Sequence, residues 1–348
     1  MQKIYTRMGD GSVVELSESE VRQDLEEGTK DAAERAKIPS LSEDDLQRLL
    51  ELYKCPDKSV GVEKGKEVIL SYDSGTTKFN RVNVSVSKLQ SLQIYERMLG
   101  ADTMEMGHMD YSYKPAKNIM WIEQPVFEQA LLVTIPPLFY GAMPNLGLYT
   151  QPDGPCLNPM ELLPQGKISE ARATQEEMIE HAVRDMVYVG SLMYESGADG
   201  INFDTTAAAG DADFLATLRA VEILKKKYPQ MCIEMGMSGE FILGMHGELT
   251  YDGVKLAGLY PHKQVELAEK AGVTIFGPAV NTNTNESCAW NTARAVTFTK
   301  ACVENSNIPI HANVGMGVGG VPVTETPPVD SVSRVSKAMV EIGRLDGL

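Results

Sequence analysis

The sequence lacks the features that mark membrane-spanning, secreted and nucleic-acid-binding proteins. No segment approaches the roughly 18 uninterrupted apolar residues of a membrane span, and the longest candidate, residues 130–143, contains two prolines. The first residues, MQKIYTRMGDG, have no apolar signal-peptide core. A net charge of −16 without a basic stripe argues against binding to nucleic acid. We therefore expect a soluble cytoplasmic protein that binds neither nucleic acid nor membrane.

Clustered cysteines and the common catalytic motifs are also absent from the sequence. The five cysteines are widely spaced, and no two of them form a CxxC pair. This pattern is typical of reduced thiols and not of a disulfide framework or a clustered zinc site. The sequence contains no GxSxG, HExxH or P-loop motif, so the common hydrolase and kinase mechanisms have no support in it.

A helix–strand joint at residues 196–210 shows how the chain is organised. A helix is predicted to end at Gly197, where a left-handed backbone suits glycine. After a short link, residues 201–205 are predicted to form a strand on which Asn202 and Asp204 share one face. A flexible polar loop then leads into the next helix. The joint therefore places polar side chains at the carboxyl end of a strand.

The same joint recurs along the chain and predicts a parallel sheet. Links from helix to strand are short, whereas links from strand to helix are long and rich in Gly, Pro, Asn and aromatic residues. Long loops at the carboxyl ends of all strands are typical of a (β/α)8 TIM-type barrel; a doubly wound sheet is the second choice. The predicted strands are residues 101–108, 131–140, 201–205, 231–236, 273–278 and 308–315, with a seventh beginning at residues 344–348.

Two domains are predicted: an N-terminal α/β appendage at residues 1–84 and the barrel at residues 85–348. In the appendage, Asp10–Gly11 indicates a hairpin turn. Ser17 and Glu20 predict the start of a helix that ends near Gly28, and Ser42 begins a second helix. A barrel with six strands and the start of a seventh is incomplete, because it cannot close. We therefore expect the sequence to be truncated.

Strand alternation selects the polar residues that face the interior of the predicted barrel. Polar residues within apolar strands are costly unless they are paired or functional. A satisfied structural network is the alternative to a site, but agreement across four strands favours a site. The inward polar residues include Glu105 on the first strand, Asn202 and Asp204 on the third, Glu234 on the fourth, and His311 and Asn313 on the sixth.

Other groups give weaker signals. His108 with Asp110, joined by His246 or His262, could bind zinc in a metal-dependent barrel hydrolase; this is the alternative function. The run GMGVGG at residues 315–320 matches GxGxxG, but no helix follows it, so a mobile lid is the better interpretation. Six tyrosines in or beside the predicted loops could form an aromatic cage for an alkylammonium ion: Tyr111, Tyr113, Tyr140, Tyr149, Tyr251 and Tyr260.

Several long runs carry a resemblance to a known family. They include GADTMEMGHMDYSYKP, PLFYGAMPNLGLYTQPDGP, SGADGINFDTTAAAGD, LGMHGELTYDGVKLAGLYPH and GMGVGGVPVTETPPVDSVSR. From Arg7 to Leu348 the chain resembles the dimethylamine:corrinoid methyltransferases of methanogenic archaea. The resemblance implies a (β/α)8 barrel in which an in-frame amber codon is read as pyrrolysine after a DG-aliphatic run. That run is residues 346–348 here, which implies that the amber codon was taken as a stop.

The resemblance also implies a reaction. Pyrrolysine's imine would accept the amine and present its methyl group to Co(I) of a cognate corrinoid protein, so the chain itself would hold no tightly bound cofactor and no metal. Gly315, Gly317 and Gly319 would form the lid on which the corrin ring docks, and a homo-oligomer is expected. From strand alternation we assign Glu234 and Asp204 to cation binding and proton transfer, His311 and Asn313 to hydrogen bonding with them, and Asn202 and Glu105 to substrate binding.

Overall fold

The computed structural model describes residues 3–54, 139–142, 146–244, 248–324 and 328–348, which form a mixed α/β structure. The described helices are α1 (Glu18–Ala36), α2 (Glu43–Lys54), α3 (Pro159–Leu162), α4 (Ile168–Glu195), α5 (Asp211–Lys227), α6 (Pro261–Ala271), α7 (Cys288–Glu304) and α8 (Val329–Glu341). The strands are β1 (Lys3–Arg7), β2 (Val13–Ser17), β3 (Phe139–Ala142), β4 (Gly200–Thr206), β5 (Cys232–Met237), β6 (Thr250–Tyr251), β7 (Val254–Lys255) and β8 (Ile275–Gly277). Within these ranges, no helix is both long and apolar enough to cross a membrane.

The central sheet consists of four parallel strands in the order β3-β4-β5-β8. Single parallel bridges continue it from Phe276 to Ile310 and from His311 to Gly347. Each added segment lies later in the chain, which is the order expected when helices connect neighbouring parallel strands. The parallel sheet is thus confirmed. The described residues form no closed barrel, and the predicted first strand and most of the second lie outside them.

The predicted strand at residues 308–315 is much shorter in the structure. Within the described residues it joins the parallel sheet at Ile310 and His311, and each of these makes a single bridge. Pro309 has no N–H to donate to a ladder, and Gly315, with a φ of 159°, begins a turn closed by a hydrogen bond from the Val318 N–H to its carbonyl. The strand prediction was therefore wrong in extent, although His311 does pair in parallel with Gly347 of the next segment.

The joint between α4 and β4 is formed as predicted. Gly197 has a φ of 103°, a left-handed value that glycine adopts without a Cβ clash. On β4, Ile201 and Phe203 are completely buried and pack in the apolar core between the sheet and its helices. This packing fixes the register of the strand and turns Asn202 towards the opposite face.

The N-terminal segment packs directly on helix α7. β1 and β2 form the predicted antiparallel hairpin, and Ser17 and Glu20 form the predicted capping box at the start of α1. The predicted end of α1 near Gly28 was wrong, because the helix continues to Ala36. Gly28 is instead a point of close approach: a Cβ there would lie 2.2 Å from the carbonyl oxygen of Trp290. The predicted domain boundary at residues 84–85 lies outside the described residues.

Candidate functional site

A buried carboxylate–imidazole pair lies at the centre of the candidate site. Nδ1 of His311 is 2.9 Å from Oε1 of Glu234, and the two side chains are 14% and 7% exposed. Ile233 and Met235, on either side of Glu234 along β5, are completely buried in the core, which turns Glu234 to the opposite face. In this contact Nδ1 is the donor and the carboxylate oxygen is the acceptor. Two of the predicted residues therefore meet directly.

Asn202 lies beside Glu234 on the neighbouring strand. The two residues are register partners of β4 and β5, so their side chains share a face. Asn202 is buried, and among the described residues its side-chain oxygen Oδ1 has no hydrogen-bond partner. A buried acceptor without a partner costs about 1–3 kcal/mol. A carboxylate next to an unsatisfied amide oxygen suits a cation that carries N–H donors.

Asp204 lies in a β-bulge at the carboxyl end of β4, which the sequence did not reveal. The pairing with β5 shifts between Phe203 and Thr206, and Thr205 has a φ of 54°. Positive φ is an outlier for a β-branched residue. Asp204 Oδ1 accepts a 2.7 Å hydrogen bond from the Thr205 N–H. The absence of a side chain at Gly236 leaves room for this carboxylate, because a Cβ there would lie 2.8 Å from Oδ1.

The glycine-rich loop after His311 is held by backbone hydrogen bonds. Gly317 donates to the Pro322 carbonyl at 3.1 Å and accepts from the Thr282 N–H at 2.8 Å. Gly319 donates to the Val280 carbonyl at 2.9 Å. A Cβ at Gly319 would lie 2.9 Å from the backbone oxygen of Asn313. Asn313 itself is exposed. These contacts attach the loop to the segment after β8. Its role as a lid and as a corrinoid-docking surface stays a prediction.

Several predicted residues lie outside the described part of the chain. They are Glu105, the proposed metal pair His108 and Asp110, His246, and two tyrosines of the predicted cage, Tyr111 and Tyr113. His262 is half-buried at the start of α6, and burial lowers its pKa. The alternative metal-dependent site therefore stays a prediction.

Three tyrosines of the predicted cage make contacts with helices. The hydroxyl of Tyr149 donates to Asp185 at 2.7 Å, that of Tyr251 donates to Glu222 at 2.5 Å, and the ring of Tyr260 stacks on Phe298 with 5.7 Å between centroids. Each contact is sufficient to explain an aromatic residue at its position. An aromatic cage stays a prediction.

Sequence reasoning missed a buried ion-pair network that includes the loop after β5. Arg294 of α7 forms two hydrogen bonds with Glu240, at 2.6 and 2.5 Å, and one with Asp31 at 2.7 Å. Glu240 belongs to the loop that follows β5, the strand that carries Glu234. The signal in the sequence is a single arginine in the otherwise uncharged run CAWNTARAVTFT. A lone cation on a helix that is buried on all sides requires a buried anionic partner.

Comparison with known proteins gives one clear match. A family model described as dimethylamine methyltransferase (Dimeth_PyL) matches residues 2–348, nearly the whole chain. No solved structure matches the chain.

Proposed function

This chain belongs to the dimethylamine methyltransferase family, and from that premise we propose that it transfers a methyl group from dimethylamine to the cobalt of a corrinoid held by a partner protein. The buried Glu234–His311 pair with Asn202 beside it is the observation that carries the proposal. Dimethylamine is a cation at neutral pH and has two N–H bonds. The acceptors for those two bonds are a Glu234 carboxylate oxygen and Asn202 Oδ1.

Burial gives these acceptors their strength. Glu234 and Asn202 are 5% and 8% exposed, and a charge-assisted hydrogen bond is stronger where water is excluded. The His311 Nδ1–H bond holds the carboxylate in position, so Glu234 presents its lone pairs to the substrate in a fixed geometry. The pair can accept one amine proton before the C–N bond breaks. It can return that proton to the methylamine nitrogen, which leaves with the electron pair of the broken bond; this is general acid–base work.

The chemistry of methyl acceptance comes from groups outside the described residues. When bound, the Co(I) corrinoid would supply the nucleophile, and the pyrrolysine implied by the resemblance would supply an electrophilic imine. Gly347 forms a parallel bridge with His311, and the Asp346 carboxylate accepts a 2.9 Å hydrogen bond from the Ile310 N–H. The DG-aliphatic run of the resemblance thus lies beside the Glu234–His311 pair.

The strand order supports a barrel as the scaffold for this reaction. From β3 to Gly347, the segments that join the sheet follow chain order without a reversal. A doubly wound sheet reverses its order at the point where its ligand binds, whereas a (β/α)8 barrel never does. We therefore retain the (β/α)8 barrel as the proposed architecture.

Glu234→Gln tests the proposed role of the carboxylate. The variant preserves the shape of the side chain and removes its charge and basicity, so dimethylamine-dependent methylation of the corrinoid protein should fall by about 100-fold or more. The protein is prepared with pyrrolysine, and methylation is followed by the visible spectrum of the corrinoid. Glu180→Gln is the matched control, because Glu180 is exposed on α4 and pairs with Arg219 at the surface. An unchanged rate in correctly folded Glu234→Gln would remove Glu234 from the mechanism.

A further inference from the structure

We propose that Cys156, Glu177 and His181 bind a divalent metal ion of the zinc type, at a place that shares no residue with the Glu234–His311 pair. One ligand atom from each side chain (the Cys156 sulfur, a Glu177 carboxylate oxygen and a His181 ring nitrogen) lies within 4.8 Å of the other two. Zinc–ligand bonds of 2.0–2.3 Å place tetrahedral ligands about 3.5 Å apart. Rotation of the side chains can bring the ligand atoms from within 4.8 Å of one another to the roughly 3.5 Å of a tetrahedral site.

The backbone brings these three side chains together without a metal. Glu177 and His181 are four residues apart on α4, so they lie on one face of the helix. Cys156 is fixed in the loop before α4, because its N–H donates to the Tyr149 carbonyl and its own carbonyl accepts from Gln151, both at 2.8 Å. The Tyr149 ring stacks on His181 with 5.6 Å between centroids. The loop and the helix therefore hold the three ligands close to one another.

The chemistry of the three ligands selects the metal. A thiolate, an imidazole and a carboxylate form the mixed sulfur, nitrogen and oxygen set that zinc accepts, whereas magnesium and calcium prefer oxygen ligands alone. Cys156 is 1% exposed, so its sulfur is shielded from bulk solvent. Three protein ligands leave a fourth position for water. Because two ligands are on a helix and one is on the preceding loop, the metal would fasten that loop to α4.

Arg184 supplies a specific prediction for this site. Its guanidinium donates a hydrogen bond to Nδ1 of His181, so this nitrogen bears the lone pair that a metal would need. Arg184 is exposed and long, so it can leave the imidazole when a metal arrives. The guanidinium opposes a metal at either ring nitrogen, because it occupies Nδ1 and thereby keeps the ring proton on Nε2. The affinity of the site should therefore rise when the guanidinium is removed.

Cobalt(II) is the probe that tests the site, because a cobalt–thiolate bond produces a charge-transfer band in the near ultraviolet. The tag-free protein, treated with a chelator and kept reduced, should bind one Co²⁺ with this band, and Zn²⁺ should displace it. Cys156→Ser should abolish the band. Glu177→Gln and His181→Gln should weaken binding by more than the roughly 10- to 100-fold that loss of a ligand's supporting partner costs. Arg184→Gln should tighten binding several-fold.

A second cysteine provides the control for this experiment. Cys232→Ser removes a half-buried cysteine on β5 and should leave the Co²⁺ band unchanged. No charge-transfer band in the unaltered protein under excess Co²⁺, or a band that persists in Cys156→Ser, overturns the proposal. If Cys156→Ser fails to fold, His181→Gln replaces it as the test, because His181 is only partly buried and its replacement disturbs folding less. Unchanged Co²⁺ affinity in His181→Gln then overturns the proposal. These readouts are independent of methyl transfer, so the metal site and the proposed function can fail separately.

Discussion

The Arg294 side chain joins three parts of the molecule, and its removal should have a large, measurable effect on stability. From α7 it binds Asp31 of α1, the Glu240 carboxylate after β5, and the backbone carbonyl of Asn281 after β8. Its side chain is 6% exposed, and that of Glu240 is 11% exposed. In Arg294→Met, the aliphatic part is retained, but a buried carboxylate is left without its counter-charge.

The expected magnitude follows from that uncompensated charge. Removal of one partner from a buried ion pair costs about 3–5 kcal/mol. Replacement of both partners by neutral groups costs less, because a buried neutral polar group carries a penalty of only about 1–3 kcal/mol. The double variant Arg294→Met/Glu240→Gln should therefore be more stable than Arg294→Met, although it contains one more substitution. This sign reversal is the specific signature of a buried ion pair.

Urea unfolding followed by circular dichroism measures these differences in the free energy of unfolding. The matched control is Arg219→Met, which removes an arginine whose side chain is 43% exposed and pairs with Glu180 at 2.9 Å; an exposed pair contributes about 0–1 kcal/mol. The reasoning is refuted if Arg294→Met is no less stable than Arg219→Met. It is equally refuted if the Glu240→Gln change makes Arg294→Met still less stable.

Two further predictions concern α1. Gly28→Ala should destabilise the protein by about 1–3 kcal/mol in urea unfolding, because the new Cβ would lie 2.2 Å from the Trp290 carbonyl oxygen. Gly190→Ala in α4 is the control and should be near neutral, because its Cβ would meet only side-chain methyl groups of Leu224 and Ile201, at 3.0 Å or more. Equal effects of the two substitutions would contradict this account. For Asp31, burial opposes ionisation, but hydrogen bonds from two guanidinium groups outweigh it and hold the pKa below its ordinary value. The stabilisation from Asp31 is thus complete above pH ~4 and is lost as the pH falls through the lowered pKa. The difference in unfolding free energy between the protein and Asp31→Asn should therefore shrink in acid. A difference that is constant with pH would contradict this role of Asp31.

Local patterns predicted the elements whose causes are local. The glycine at position 197, the alternation on β4 and the capping box at Ser17 each depend on a few adjacent residues, and the structure forms them as expected. Gly28 shows the limit of prediction from local sequence patterns. A glycine in a polar helix indicates a helix end, but the reason for this glycine is a neighbouring helix more than two hundred residues later in the chain, and sequence spacing carries no information about that contact.

The candidate site was predictable to the same extent. Strand alternation predicted that Glu234 and His311 both face the same side of the sheet, and in the structure the two side chains lie 2.9 Å apart. Arg294 and Glu240 could not be paired in this way, because one is on a helix and the other on a loop. Periodicity selects a face of a strand or helix, whereas the partner of a loop residue depends on the completed packing.

The end of β4 gives the strongest physical argument that this face of the sheet is a functional site. Within the described residues, the buried Asn202 Oδ1 and Thr205 Oγ1 have no hydrogen-bond partner, and Thr205 also has a positive φ. Unsatisfied buried groups and backbone outliers each cost about 1–3 kcal/mol, against a total stability of about 5–15 kcal/mol. Packing alone gives no reason to retain three such costs on one four-residue stretch. A cationic substrate that donates hydrogen bonds would satisfy the two acceptors, one of which, Asn202, lies beside Glu234.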